Sequence, residues 1–370
     1  MSGKIKVAII GLGFGMEFIP IYQAYPGTEV FAICRRNKDE LEKTGKRFGI
    51  ERLFTDWKDL LDIDEIDAIH VVSPIMDHAP MTIASLEAGK HCACTVPMGT
   101  SIEDLKAIVK AKNRSKKVFM MMETAVYTRE FLYVKEMADS GRLGRIQFLR
   151  GSHMQDMGLE GWPEYWLGFP PMWYGTHAVS PLIALAGSIA ESVVCHGSGS
   201  ISKELASRYG SPFAVETAVF KLRDSNIIAE ATRSLYETVR QYRESLDIYG
   251  DRLSFEWEQI QGENPVLFEG GEDARRIEIP DTDRLLPEEI KKFTRREKIE
   301  DDTHVSFIQG AGHGGSHPHM VHEYISAIME ERDSAIDALA AANWTAAGIC
   351  AHQSAMKGGE RIRIPDFKKS

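Results

Sequence analysis

The chain has 370 residues, with 44 lysines and arginines against 54 aspartates and glutamates and a formal charge of -10. So acidic a balance offers no basic stripe able to release phosphate counterions, which excludes nucleic acid as the expected partner and leaves small molecules. The length predicts two domains with a cleft between them, no run reaches the ~18 apolar residues of a membrane span, and MSGKIKVAII carries too short an apolar run for a signal peptide.

Residues 5–10, IKVAII, read as a buried strand, and GLGFGMEFIPIYQAY then changes to helical spacing with Phe18, Ile21 and Tyr22 on one side. Gly11 makes a tight turn, Gly13 lets the backbone approach a diphosphate, and Phe14 and Gly15 complete the cofactor-facing loop. The third glycine of a dinucleotide fingerprint is displaced, because Met16 holds its slot and Gly15 stands one residue early. Further strands are predicted at 29–34, 67–73, 90–94 and 117–122, with helices at 77–88 and 101–115 between them. This alternation predicts an α/β architecture, a Rossmann domain with a doubly wound parallel sheet over residues 1–123. Ligands there lie beyond the carboxyl ends of the strands, so Ser73, Pro74, His78, Thr95 and Pro97 are expected to border the cofactor. Cys34-Arg35-Arg36-Asn37 stands where a carboxylate would hold a ribose 2'-hydroxyl. Either both guanidinium groups meet the 2'-phosphate of NADP, or Arg35 stacks on the adenine and Arg36 faces water.

Beyond Glu123, which ends the sixth strand, residues 124–370 are expected to form an α+β domain. Short alternating segments predict a large open, mostly antiparallel sheet, with one face covered by the helix beginning near His177 and the other able to join a second copy as a dimer or tetramer. His153 and Gln155 share one face of the strand IQFLRGSHMQD. Trp162, Trp166 and Trp173 crowd a Gly/Pro-rich loop, which is either a sugar-stacking wall or a packed surface loop. Tyr174 and His177, at i and i+3 where a helix starts, sit on one face; either both reach one bound sugar, or His177 is a structural residue bonding a loop carbonyl, with Thr176 placed to cap the helix. Residues 281–303 form a charged excursion, either solvated or acting as a lid. His313, His317, His319 and His322 follow, but no carboxylate or cysteine completes a zinc spacing, and no metal is expected from them. The apolar helix at about 335–356 is expected to pack back on the first domain. Five scattered cysteines, an odd number set mostly in apolar runs, predict free buried thiols and a cytoplasmic chain.

With the phrase ASLEAGKHCACTVPMGTS included, the chain resembles the Gfo/Idh/MocA oxidoreductases over nearly its full length. Members commonly carry Glu-Lys-Pro after the fifth strand, where the lysine helps to move a proton at the substrate hydroxyl. Here the triplet is Thr95-Val96-Pro97, and valine transfers no proton. Valine is shared with one branch, the NAD-dependent glycoside hydrolases typified by α-N-acetylgalactosaminidases, and three more runs are similar to it. MMMETAVYTREFLYVKEMADSGRLGRI implies Glu123 and Tyr127 beside the nicotinamide, WYGTHAVSPLIALAG implies Tyr174 and His177 in catalysis, and GAGHGGSHPH implies a cofactor or substrate contact from His313. The chain departs from the branch where His153 and Gln155 replace Tyr-x-His, and where WPEYWLGFPPM replaces an arginine-rich segment.

The resemblance implies an NAD- or NADP-dependent oxidoreductase acting on a sugar or glycoside hydroxyl. Tyr174, His177, His153 and Glu123 are the candidate catalytic residues, and Tyr127, Gln155, Trp166, Trp173 and His317 the candidate substrate contacts. A second expectation is a glycosidase using the same cofactor in a cycle of oxidation, elimination, hydration and re-reduction. A third is a nucleotide-binding regulatory protein without turnover.

Overall fold

A computed structural model of the chain describes residues 3–238, 240, 242–260, 262–270, 273–294 and 311–369. Six parallel strands make the first sheet: β1 (Ile5–Ile10), β2 (Thr28–Cys34), β3 (Leu53–Phe54), β4 (Ala68–Val71), β5 (His91–Thr95) and β6 (Phe119–Met122), in the order β3-β2-β1-β4-β5-β6. Helices α1 (Ile19–Ala24), α2 (Lys38–Phe48), α3 (His78–Glu87) and α4 (Ile102–Ser115) connect them. With helices over both faces, β4 and β6 are buried along their whole length, which is why they read as continuous apolar runs. Local signals set the helix ends. Asn37 accepts the Glu40 N–H at 3.1 Å to start α2, and Ser101 accepts the Asp104 N–H at 3.1 Å to start α4. The strand order reverses between β1 and β4, so a crevice opens beyond their carboxyl ends, next to Gly11 and Ser73.

Nine strands make the second sheet: β7 (Ile146–Gln155), β8 (Ala190–Ser198), β9 (Val215–Leu222), β10 (Ile228–Ser234), β11 (Tyr242–Gly250), β12 (Ser254–Glu256), β13 (Val266–Phe268), β14 (Ala274–Arg276) and β15 (Ile362–Arg363). Their order is β14-β13-β12-β11-β7-β10-β9-β8-β15, and every neighbouring pair is antiparallel except β7 with β10. The sheet is therefore mostly antiparallel and open.

Helices α5 (Arg129–Asp139), α6 (Thr176–Ala186), α7 (Lys203–Tyr209), α8 (Ser316–Met329) and α9 (Ala338–Met356) complete the protein. Helix α6 lies on the inner face of the second sheet, where Leu149, Gly151, His153 and Gln155 of β7 all point by two-residue alternation. Gly151 makes this approach possible, since a Cβ there would meet the Ala178 carbonyl oxygen at 2.3 Å. Helix α9 links the two sheets. Asn343 brackets the Ala190 N–H and C=O at 2.9 and 3.0 Å on the β8 side, while Thr345 donates to the Met121 sulfur on the β6 side.

The five cysteines are free and buried. Among the described residues, no helix is long and apolar enough to cross a membrane. The first part of the charged excursion winds as two 3-10 turns, Asp283–Leu285 and Glu288–Thr294, with Ile290 fully buried; its residues 295–303 lie outside the described residues.

Candidate functional site

A cavity of about 720 Å³ runs from the glycine turn after β1, past Arg35 and Arg36, to His153, Tyr174, His177 and His313. Its entrance half fits a dinucleotide. Gly11 has φ +90°, and a Cβ on it would lie 2.3 Å from the Val72 carbonyl oxygen, so the turn closes only with glycine. A Cβ on Gly13 would meet nothing within 4 Å, which leaves room for a diphosphate against the backbone. Gly15 does not line the cavity; it packs against Ile9 and Val72, where a Cβ would meet them at 3.2 and 3.4 Å. Gly15 thus does the helix-to-strand packing expected of the displaced third glycine, because Phe14–Glu17 winds as a tighter 3-10 turn ahead of α1.

Arg35, Arg36, Ser73, Pro74, His78 and Thr95 line this half, as does Phe14. Arg36 is exposed and Arg35 half-buried, and neither guanidinium has an ion-pair partner among the described residues. His78 is committed elsewhere: Nδ1 lies 2.7 Å from the Pro97 carbonyl and Nε2 2.8 Å from that of Ser73. Two carbonyl acceptors require both ring nitrogens to carry protons. Burial opposes that charge, but Cys94 and the two carbonyls outweigh it and raise His78 to about 9. It clamps the loops after β4 and β5 together. Pro97 itself is buried off the cavity wall and contributes through this carbonyl, while Val96 lines the cavity.

At the inner end, Glu123, His177 and Tyr174 form a line. Glu123 Oε1 lies 2.6 Å from His177 Nδ1, and His177 Nε2 lies 3.1 Å from the Tyr174 hydroxyl. Glu123 is fully buried, also accepts the Ala125 N–H at 3.0 Å and receives the Ser180 hydroxyl at 3.3 Å. The carboxylate assigns the proton to Nδ1, leaving Nε2 to accept from the phenol. Burial raises the Tyr174 phenol above its ordinary value, with the Arg233 guanidinium only partly opposing it, so the phenol stays protonated. Gly175, one residue before α6, takes the N-cap position, so Thr176 does not cap the helix.

Beside this line, four polar residues cross the inner face of the second sheet at one level. Register pairs Glu216 of β9 with Arg233 of β10, Arg233 with His153 of β7, and His153 with Glu244 of β11. Arg233 is fully buried and donates to the carbonyls of Tyr174, His153 and Ser234 and to Gln155 Oε1 at 2.8 to 3.0 Å. Its guanidinium also lies over the Tyr174 ring, 4.9 Å from the centroid. Burial lowers it to about 10, partly offset by the neighbouring tyrosines and Glu244. Glu244 accepts the Tyr242 hydroxyl at 2.9 Å and faces His313 Nδ1 at 3.4 Å. Burial would raise this carboxyl, but His313 and His177 hold it down at about 2. His313 responds in the opposite sense, since Glu244 overcomes the burial penalty and raises it. The His313 ring stacks on that of His177 at 5.9 Å.

Of the other expected contacts, Gln155 and Trp166 line the cavity, with Trp166 against Tyr174 at 4.7 Å between rings. Four expectations change. Tyr127 is off the cavity, near Glu323 and Arg332 of the α8 region, because the 3-10 turn after Glu123 carries it away. Trp173 packs edge-on against Phe169, Tyr209 and His352 in a second apolar cluster. His317 lies behind Phe14 and Phe18, with Nδ1 3.2 Å from Glu17. Glu123 does not reach the cavity and positions His177 instead of contacting a ligand. His319 and His322 bond Thr282 at 3.1 Å and Tyr25 at 2.8 Å.

Residues 5–123 match the oxidoreductase family with the NAD-binding Rossmann fold, GFO_IDH_MocA, and residues 300–370 match the C-terminal domain of glycosyl hydrolase 109. Over residues 5–123 the chain thus matches the Gfo/Idh/MocA oxidoreductases with their NAD-binding Rossmann fold. It is similar to a glycosyl hydrolase family 109 protein of Streptomyces filamentosus, 26% identical over 389 residues that cover 99% of this chain and 78% of the relative. A glycosyl hydrolase family 109 protein 1 of Phocaeicola vulgatus is 28% identical over 199 residues, and there the match spans 49% of this chain and only 42% of the relative. Among solved structures, levoglucosan dehydrogenase in complex with NADH superposes with a TM-score of 0.80 at 19% identity, covering 98% of this chain and 100% of that one. Myo-inositol 2-dehydrogenase from Lactobacillus plantarum gives 0.75 at 19%, with 98% and 100% coverage. At such identities the likeness is one of fold.

Three members of this site, Arg233, Tyr242 and Glu244, were not singled out by sequence reasoning. A signal for two of them exists. Arg233 shares parity with the buried Ala229 and Ala231, and Glu244 with the buried Leu246 and Ile248, so each is a charge at an inward position of its strand.

Proposed function

We propose that the chain is an oxidoreductase that uses a nicotinamide dinucleotide to oxidise a hydroxyl of a sugar or glycoside. The observation carrying this reading is that the Glu123–His177–Tyr174 line ends at the same cavity that begins at the glycine turn. The dinucleotide, when bound, supplies the hydride chemistry. Gly11, Gly13, Phe14, Ser73 and Pro74 hold its diphosphate end, and Arg35 and Arg36 decide between NAD and NADP, their charge favouring the 2'-phosphate.

Tyr174 accepts the proton of the substrate hydroxyl while passing its own to His177 Nε2. The raised phenol makes this transfer to the imidazole necessary, since a free phenolate is disfavoured there. Glu123 holds the imidazole tautomer and stabilises the imidazolium that forms. This line does the acid/base work for which Val96 is unsuited. Trp166 and Gln155 border the substrate.

A second reading, redox-neutral glycoside cleavage, is favoured by the match of residues 300–370 to a glycosyl hydrolase C-terminal domain. One experiment separates the two. The purified protein is extracted to identify any bound dinucleotide, then incubated with glycosides in deuterated water without added cofactor. Reduced cofactor in step with oxidised, uncleaved glycoside supports the oxidoreductase, and deuterium at C2 of a released sugar supports cleavage. No dinucleotide binding and no turnover would reject both.

A further inference from the structure

At the inner end of the cavity, His153 and His177 line the wall, and Glu244, paired with His153 across the sheet, adjoins them. His153, His177 and Glu244 each offer a ligand atom, and these atoms all lie within 4.8 Å of one another. We propose that they form a binding site for a first-row divalent cation such as Zn²⁺, a two-histidine, one-carboxylate site with open positions facing the substrate.

Geometry supports this first. Three atoms so spaced share a point at most ~2.8 Å from each, so each moves by under ~1 Å to reach ligand bonds of ~2.0–2.2 Å. His153 Nε2 and Glu244 Oε1 are already 3.9 Å apart, fixed by their register pairing across β7 and β11.

His153 is the second and independent observation. It is 1% exposed, and neither ring nitrogen has a hydrogen-bond partner among the described residues. A buried imidazole without partners is costly, and an ion at this point satisfies one of the two nitrogens. Burial, reinforced by Arg233, His177 and His313, lowers His153 well below its ordinary value and keeps it neutral, the form that ligates.

The surrounding residues complete the argument. Metal-binding histidines usually donate the far ring N–H to a carboxylate, and Glu123 occupies that position on His177 Nδ1 at 2.6 Å, leaving Nε2 for the ion. Glu244 is oriented in turn by the Tyr242 hydroxyl at 2.9 Å. His313, 3.4 Å from Glu244, is the neighbour with which an ion would compete for that carboxylate. Two histidines with one carboxylate suit Zn²⁺, Co²⁺, Mn²⁺ or Fe²⁺. Loading takes Nε2 away from Tyr174, so the ion-free protein carries the proton line and the loaded protein a Lewis acid that polarises the hydroxyl in its place.

The site does not depend on the reaction proposed above, and its test is separate. Chelator-stripped full-length protein is titrated with Zn²⁺ by calorimetry and with Co²⁺ by visible absorption. One equivalent of each is expected, with ligand-field bands from Co²⁺. His153→Ala and Glu244→Gln should each weaken Zn²⁺ by roughly 100-fold or more, and Glu123→Gln by roughly 10- to 100-fold. Dinucleotide titration of the same samples shows which variants remain folded and tests the cofactor reading independently. Absence of stoichiometric binding to the wild-type protein overturns the proposal, as does undiminished binding in folded His153→Ala or Glu244→Gln.

Discussion

Glu123 Oε1 and His177 Nδ1 meet at 2.6 Å although they belong to different sheets: Glu123 follows β6 of the parallel sheet, and His177 opens the helix laid on the open sheet. The proton line is therefore assembled only when the two sheets are docked. Its carboxylate is sealed from solvent, so its effect on chemistry must pass through the imidazole.

Tyr174→Phe and His177→Ala are expected to lower turnover by roughly 100- to 10,000-fold, the range for a positioned acid or base, with dinucleotide affinity unchanged. Glu123→Gln should lower it by a similar factor and alter the pH–rate profile, because the imidazole loses its fixed tautomer. Steady-state rates across pH, beside calorimetric cofactor titrations, check this. Full activity in Tyr174→Phe would remove the line from the mechanism.

Gly11→Ala and Gly13→Ala should separate folding from cofactor binding. The first places a Cβ 2.3 Å from the Val72 oxygen at a φ of +90°, and should destabilise the protein by more than ~1 kcal/mol. The second meets no protein atom and should fold normally while binding the dinucleotide more weakly. Urea melts and calorimetry on both variants decide the matter.

Arg35→Ala and Arg36→Ala should reduce NADP affinity by roughly tenfold or more relative to NAD, through loss of charge-assisted bonds. An unchanged NADP-to-NAD ratio in both variants would assign the pair to adenine stacking and solvent.

His78 predicts a loss of stability in alkali. Its folded value of about 9 lies above the ordinary 6.5, so the folded state holds the proton more tightly. The resulting stabilisation is complete below 6.5 and disappears as the pH rises through 9. Denaturant midpoints from about pH 6 to about pH 10 should fall in the wild-type protein and fall less in His78→Gln. Parallel slopes would show that the clamp does not titrate.

The outer face of the second sheet exposes Val219 at 43% and Ile228 at 41%, on adjacent strands beside the stacked rings of Phe148 and Tyr249. Association of two copies through this face is expected, and Val219→Lys or Ile228→Lys should shift sedimentation to the monomer. A wild-type monomer at micromolar concentration would refute it.

The strands and helices of the first sheet were legible because both faces are covered, so apolar runs and glycine or serine punctuation coincide with element ends. The two-residue β3 carries too few side chains to leave such a signal. Periodicity paired Tyr174 with His177 on one helix face and His153 with Gln155 on one strand face, and the family resemblance brought the two pairs to one cleft. Tyr127 was implied by the resemblance, and the 3-10 turn after Glu123 carries it away; Trp173 and His317 instead pack against other aromatic rings. Arg233 and Glu244 lay in segments that looked like ordinary strands, and only counting parity along each strand would have exposed a charge where an apolar residue belongs.

The level row of Glu216, Arg233, His153 and Glu244 bears on how errors in this protein would present themselves. Strand side chains alternate, so a slip of one residue in β10 or β11 would turn its member of the row outward and bring Thr232 or Ser245 inward. Arg233 would then leave the four oxygens that neutralise its burial. A misregistered chain would thus lose stability together with the contacts by which Arg233 holds the Tyr174 and His153 backbone in place. Quality control on the sheet then serves at the same time as quality control on the site.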